Sequence, residues 1–281
     1  MRTRLFKSVL KKHKAVFLDS YGVIKNHDGL IPGVQEAIDH IRLLGMPLRV
    51  LTNDASRSPE LLAEKFADAG LFGILAKEII TSGTMARKYL ENKGVQGKIA
   101  YLGTENSAAY IRDANFEPLH ISEVSEQNID KITALIFLDD EGFDWNKDLN
   151  KAVNLLRRRK IPAIVANSDA LYPVSANNVN VATGGIAALV ENVLGRGFIH
   201  YGKPDSQMFM YGYERLKKVG RYRRKDILMV GDTLHTDILG GNKFGISTAL
   251  VLTGNTSAEE ADTLIRATGV IPDYICRSIA E

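Results

Sequence analysis

The chain has 281 residues, 45% hydrophobic and 25% charged, which is room for one large or two modest domains at roughly 150 residues each, with a substantial core. Thirty-six Lys and Arg residues face 33 Asp and Glu, a formal net charge of +3, and no long basic run is interleaved with aromatics, so a nucleic-acid footprint is not supported. The single cysteine, Cys276, rules out an internal disulfide and a cysteine metal cluster and fits a reducing compartment.

The N-terminal stretch from Met1 to Lys14 is basic, with Leu5, Phe6, Val9 and Leu10 at helical spacing rather than in a continuous apolar run. Neither a secretory h-region nor a membrane-length segment is found, and a cytoplasmic protein without membrane contact is expected. From Ala15 onward, short runs rich in Val, Ile and Leu alternate with amphipathic stretches of helical length. That alternation predicts βαβ units and an α/β fold with a parallel sheet.

The first cycle is predicted as strand 15–19, helix 34–44 and strand 47–53. A helix over 59–69 follows, with Ser58 as N-cap, Pro59 in the first turn and Gly70 at its end. Strand 78–81 and helix 84–92 close this part. The middle repeats the pattern with strands 98–102, 132–138 and 161–166 and helices 105–114 and 145–159. The last third cycles through helix 186–194, strand 198–201, helix 205–218, strand 227–230, helix 236–244, strand 248–252, helix 258–268 and strand 274–276. The cluster Arg221, Arg223, Arg224 and Lys225 reads as a solvated turn.

Four apolar runs end on polar residues able to do chemistry: Asp19; Thr52 with Asn53; Lys203; and Asp232. In open α/β sheets ligands bind at the carboxyl ends of strands. If the four share one site, the first and last thirds of the chain form a common core, and the segment from about Gly83 to Thr183 is an insertion placed to act as a cap. A carboxylate at a strand end, followed by Gly22 in a loop open to a ligand, can attack phosphorus. Asp232 and Asp237, around the stretch 233–236, can gather on one side of a hard divalent cation. Lys203, between Gly202 and Pro204, lies before the next helix begins, where its ammonium can balance a phosphate and a nucleophile. Thr52 and Asn53 offer a hydroxyl and an amide to phosphoryl oxygens. No Gly-x-Gly-x-x-Gly run follows the first strand, so a dinucleotide-binding reading has no support.

In this order and context the residues resemble the four motifs of the haloacid dehalogenase (HAD) superfamily of phosphatases. Asp19 matches the nucleophile of the first motif, Thr52 the hydroxyl of the second, Lys203 the lysine of the third, and Asp232 with Asp237 the acidic pair of the fourth. Gly202-Lys203-Pro204-Asp205, with the insertion between the second and third motifs, is similar to the class II branch that includes para-nitrophenyl, phosphoglycolate, pyridoxal, nucleotide and sugar phosphatases. The resemblance implies a Rossmann-like three-layer core over 1–82 and 184–281 and an α/β cap of the C2 type over 83–183. It implies Mg2+ held by Asp19, Asp232, the backbone carbonyl of Tyr21 and, directly or in support, Asp237. Gly22, Thr52, Asn53 and Lys203 would hold the phosphoryl group, and Asn167, Ser168 and Asp169 in the cap would meet the substrate, a small phosphorylated metabolite. Members of the family commonly form homodimers.

One position departs from the pattern. Where hydrolytic members usually carry a second aspartate that protonates the leaving oxygen and then activates water, this chain has Tyr21. Acid–base catalysis of this kind contributes roughly 100- to 10,000-fold, about 3 to 5 kcal/mol. A phenol near its reference pKa of about 10 is a passable acid and a poor base. Asp54, His27 or His235 would have to supply the base, or the phosphoenzyme persists. Three functions are therefore open: a Mg2+-dependent phosphatase of a small phosphomonoester such as a sugar phosphate; a phosphotransferase or hydrolase of activated phosphates; and a ligand-binding or regulatory protein of weak turnover.

Overall fold

The protein is described here by a computed structural model covering residues 3–94, 97–175 and 178–281. It comprises two compact units, one formed by Met1–Thr52, Pro59–Ile80 and Lys203–Glu281, the other by Asn53–Ser58 and Thr81–Gly202.

The first unit is built on a six-stranded sheet in the spatial order Tyr274–Cys276, Ser247–Val251, Ile227–Gly231, Ala15–Leu18, Leu48–Thr52, Ile79–Thr81. Ala15–Leu18 lies centrally, paired in parallel with Ile227–Gly231 on one side and with Leu48–Thr52 on the other. Its four residues are all buried, as a central parallel strand covered on both faces requires. Leu18 is in register with both Val230 and Val50, so the three strands run in step toward the same carboxyl edge, ending at Leu18, Gly231 and Thr52. One face is packed by Phe6, Val9 and Leu10 of the N-terminal helix and by Ile38 and Ile41 of the helix Val34–Leu43. Cys276 is buried in this core.

The second unit holds a five-stranded sheet ordered Ile199–His200, Ala163–Val165, Ile132–Phe137, Lys98–Leu102, Glu117–His120, with parallel registers throughout. A short antiparallel pair, Leu171–Pro173 with Val179–Val181, accompanies it. Glu117–His120 escaped the sequence reading because Pro118 interrupts it; proline is tolerated at a sheet edge, which is where this strand lies.

The core boundary drawn at residue 184 needs correction. Helix Thr183–Leu194 buries Ile186, Ala187 and Val190 among the apolar residues of the second sheet, and Ile199 and His200 pair with Ile164 and Val165. Apolar pattern alone assigns these elements to an α/β layer without saying which sheet they join, so residues 184–202 go with the second unit and the chain rejoins the first at Lys203. Among the described residues no helix is long and apolar enough to cross a membrane.

Leu18 is fully buried in the central strand. Leu18→Ala is expected to lower stability by about 2–5 kcal/mol, read as a lower urea midpoint for unfolding of the first unit; an unchanged midpoint would contradict the packing described.

Candidate active site

Within the first unit the carboxyl edge of the sheet gathers Asp19 after the strand Ala15–Leu18, Thr52 at the end of its neighbour, and Asp232 directly after Ile227–Gly231. Lys203 and Asp237 complete the group. The Lys203 ammonium sits 2.6 Å from Oδ1 of Asp19 and 2.7 Å from Oδ1 of Asp237, and its side chain is only 2% exposed. Asp237 enters on a π-helical turn, Leu234–Ile238, that precedes the helix Leu239–Phe244. The backbone N–H of Thr233 donates to its other oxygen at 3.1 Å.

Asp19, Asp232 and Asp237 are all buried and offer carboxylate oxygens within 4.8 Å of one another, a set that could hold a metal ion. Burial first, and then the Asp237 carboxylate, push both Asp19 and Asp232 above the usual carboxylate range, Asp232 to about 7. Burial alone would lower the Lys203 pKa, but Asp19 and Asp237 outweigh it and keep the ammonium charged. One ammonium thus faces three carboxylates. The excess negative charge and the hard oxygen donors suit a divalent cation.

Two loops close tightly around Asp232. Gly22 has φ of +72°, and a Cβ there would collide with the Asp232 carboxylate; a Cβ at Gly254 would strike the same carboxylate and the Gly22 backbone. Asn255 donates to Oδ2 of Asp232 from its backbone N–H at 2.6 Å and from Nδ2 at 2.9 Å. Thr253 Oγ1 donates to the Gly22 carbonyl at 2.5 Å, and Thr233 Oγ1 to the other Asp232 oxygen at 3.1 Å. Thr253, Gly254 and Asn255 follow the strand Ser247–Val251 and were not picked out from sequence. The signal was available, since this apolar run also ends on a polar residue.

Tyr21 is half-buried and in an isolated bridge with Lys25. Burial first, then the Asp232 charge, raise its phenol pKa, while a hydrogen bond from the His27 backbone works against them. The phenol is therefore protonated at neutral pH. His27 faces Asp28 at 3.4 Å and His235 is exposed. Among the described residues, no hydrogen bond or ion pair joins either imidazole to Asp19.

The remaining sequence candidates lie in the second unit. Asn53 donates from Nδ2 to Oδ1 of Asp169 at 2.9 Å, and Asp169 N–H donates to Oδ1 of Asn167 at the same distance. At Gly202, with φ of +137°, the side chains of Ser168 and Asn53 fill the space a Cβ would need. Asn53 and residues 167–169 therefore form one polar group. Asp54 Oδ1 accepts from the N–H and Oγ of Ser56 at 2.7 and 2.6 Å, so this carboxylate braces its own turn. In the same unit Asp139 accepts from Thr104 Oγ1 at 3.1 Å, and burial raises its pKa to about 6.

A parallel α/β core with this buried lysine and carboxylate cluster at its carboxyl edge defines the class as a Rossmann-like α/β protein with an acidic group able to hold a metal ion, and sequence comparison defines it further. The haloacid dehalogenase-like hydrolase profile matches residues 16–117 and a HAD-hydrolase-like profile matches residues 200–281. The chain belongs to the haloacid dehalogenase-like hydrolases and is a phosphoric monoester hydrolase of that family. It is 50% identical to a protein of Cytophaga hutchinsonii described as a possible sugar phosphatase of the HAD superfamily, whose crystal structure matches with a TM-score of 0.97 over 100% of this chain and 99% of that one. Chronophin of Rattus norvegicus is 30% identical over 100% of this chain and 90% of its own length. Phosphoglycolate phosphatase 2 of Arabidopsis thaliana is 30% identical over 98% and 94% respectively.

Asp139 gives a pH test of the second unit. Its carboxyl binds a proton more tightly folded, at about 6, than at the ordinary value of 3.8, so its contribution to stability is greatest below about pH 4 and falls as pH rises through 6. Asp139→Asn removes the buried charge. It is expected to be more stabilising at pH 8 than at pH 4, by a difference on the order of 2 kcal/mol, as read from urea midpoints; equal effects at the two pH values would contradict the assignment.

Proposed function

We propose that this protein is a Mg2+-dependent phosphatase that hydrolyses a small phosphomonoester, of the sugar phosphate class, through an aspartyl phosphate on Asp19. The observation that carries this reading is the Asp19 carboxylate at a strand end, bonded to a buried lysine and grouped with Asp232 and Asp237. The similarity to the Cytophaga hutchinsonii protein supports the substrate class. The carboxylates of Asp19 and Asp232 would hold magnesium, which supplies charge neutralisation at the phosphoryl oxygens. Asp237, with one oxygen on Lys203 and the other on the Thr233 amide, supports the ammonium from behind.

In the first half-reaction an Asp19 oxygen attacks phosphorus, the ester P–O bond breaks, and the leaving oxygen takes a proton. Lys203, Thr52, Asn53 and the backbone near Gly22 hold the phosphoryl oxygens, and Tyr21, protonated at neutral pH, donates to the leaving group. In the second half-reaction water displaces the Asp19 carboxylate from phosphorus and must lose a proton. The phenolate left by the first half-reaction regains its proton from water at neutral pH, and the phenol so restored cannot accept another, so hydrolysis of the phosphoenzyme is the slower half. We assign substrate selection to the second unit, acting as a cap through Asn167, Ser168 and Asp169.

Phosphate release should be measured across sugar phosphates, nucleotides, phosphoglycolate, pyridoxal phosphate and para-nitrophenyl phosphate, with magnesium and with a chelator. Turnover is expected to need both magnesium and Asp19, and to vanish in Asp19→Asn; activity indifferent to that substitution would end the proposal.

Tyr21 favours a second reading, a phosphotransferase or hydrolase of activated phosphates in which the aspartyl phosphate persists long enough to meet another acceptor. Tyr21→Asp should raise hydrolysis by one or more orders of magnitude and abolish any phosphoenzyme trapped by acid quench and detected by mass spectrometry. A fall in rate would make the phenol itself a working part of the site.

A further inference from the structure

The opposite edge of the core sheet carries a second charged group. A cavity of ≈ 590 Å3 opens at the amino ends of the strands, lined by Arg42, Arg49, Lys77, Glu78, Arg215 and Lys218, with Met46, Pro47, Val219 and Tyr222 as its less polar wall. All of these residues belong to the first unit. They are drawn from the end of helix Val34–Leu43, the start of strand Leu48–Thr52, the turn before Ile79 and the end of helix Ser206–Lys217. The cavity volume is in the range of small-molecule sites.

Basic residues near helix C-termini often do no more than bond the last carbonyls, and some here do that. Arg42 donates to the Gly73 carbonyl and pairs with Glu78, and Arg215 donates to the Lys77 carbonyl at 2.8 Å and to the Tyr211 hydroxyl at 3.0 Å. Glu78 is the single acid in the cavity wall, and it is taken by Arg42. Among the described residues, no ion pair joins Arg49, Lys77, Arg215 or Lys218 to a carboxylate. Four cations therefore share the cavity with one acid, Glu78, which is already paired with Arg42.

Arg49 sets this apart from a solvated basic face. It is 6% exposed, its Nη1 and Nη2 donate to the carbonyls of Leu48 and Arg215 at 2.7 and 3.2 Å, and its Nε is buried without a hydrogen-bond partner among the described residues. A buried cation with no directly paired carboxylate is unfavourable unless an anion completes it. Burial first, with Arg215 and Arg42 adding to it, pulls its pKa down, against the pull of Glu78.

We propose that this cavity is a second anion site, separate from the carboxyl-edge cluster, which binds a small molecule bearing two or more phosphoryl groups. A single phosphate would leave cations unmatched, whereas a diphosphate can engage more of the four, Arg49, Lys77, Arg215 and Lys218, at once. The less polar wall around Tyr222 accommodates an organic body on the same ligand.

The test is calorimetric titration of the whole protein with inorganic pyrophosphate and with ATP, both in chelator so that metal at the carboxyl edge takes no part. Wild type and Asp19→Asn are expected to bind alike. Lys77→Ala with Lys218→Ala, both at exposed positions, should weaken binding roughly tenfold or more, and Arg49→Met should do the same while raising the melting temperature of the free protein. Tighter binding of ATP than pyrophosphate would place the organic body on the less polar wall, and equal binding would reduce the ligand to its phosphoryl groups; both support the site. Absence of binding, binding unchanged in the lysine variant, or binding lost only in Lys203→Met would overturn it. So would capture of long nucleic acid with no response to pyrophosphate. Because the readout is equilibrium binding without metal, its failure leaves the catalytic proposal standing, and failure of the catalytic proposal leaves this one standing.

Discussion

The contact on which the carboxyl edge depends is the Lys203 ammonium held between Asp19 and Asp237. Three carboxylates brought within 4.8 Å in a buried setting repel one another, and each loses hydration. Without a cation among them the edge would have to protonate or spread. Lys203 supplies that cation from the chain itself, on a residue where the polypeptide re-enters the first unit. A buried pair of this kind contributes little net stability; what it contributes is position, fixing one oxygen of Asp19 and one of Asp237 by direct bonds. The negative charge it leaves uncancelled is the part a divalent cation can complete.

Asp232 is fixed by different means. Its two oxygens are oriented by Asn255 and Thr233, and Gly22 and Gly254 let two backbones approach closer than any side chain would permit. The three-strand register beneath makes this feasible, because the residues that follow Leu18, Gly231 and Val251 emerge beside one another. The function of the edge thus rests on glycine and on register as much as on the charged groups themselves.

The α/β class and the carboxyl-edge residues were legible because each lay at the end of a short apolar run, a pattern that needs no knowledge of pairing. Asp19, Thr52, Lys203 and Asp232 were all found this way. Pairing partners were not legible: Ile199–His200 looked like another core strand until its register with Ile164 and Val165 placed it in the second sheet, and Glu117–His120 was hidden by Pro118. Arg49 was invisible for a related reason. It sits inside an apolar run in sequence, and its company with Arg215 and Lys218 exists only after the helix Ser206–Lys217 has packed beside that strand. Tyr21 stood out by its residue type, yet only the structure gives its phenol the Asp232 charge and the His27 amide as neighbours.

The central position of Ala15–Leu18 has a bearing on how the protein is made. One of its neighbours, Leu48–Thr52, leaves the ribosome soon after it, but the other, Ile227–Gly231, is synthesised only once the entire second unit has been made. Long-range parallel pairing of this kind is slow and leaves strand edges open meanwhile. During translation the N-terminal strand therefore waits with one edge unpaired while the second unit, whose segment Thr81–Gly202 is continuous, can fold first. The nascent chain is at its most aggregation-prone in that interval, and it is the late C-terminal strands that end it.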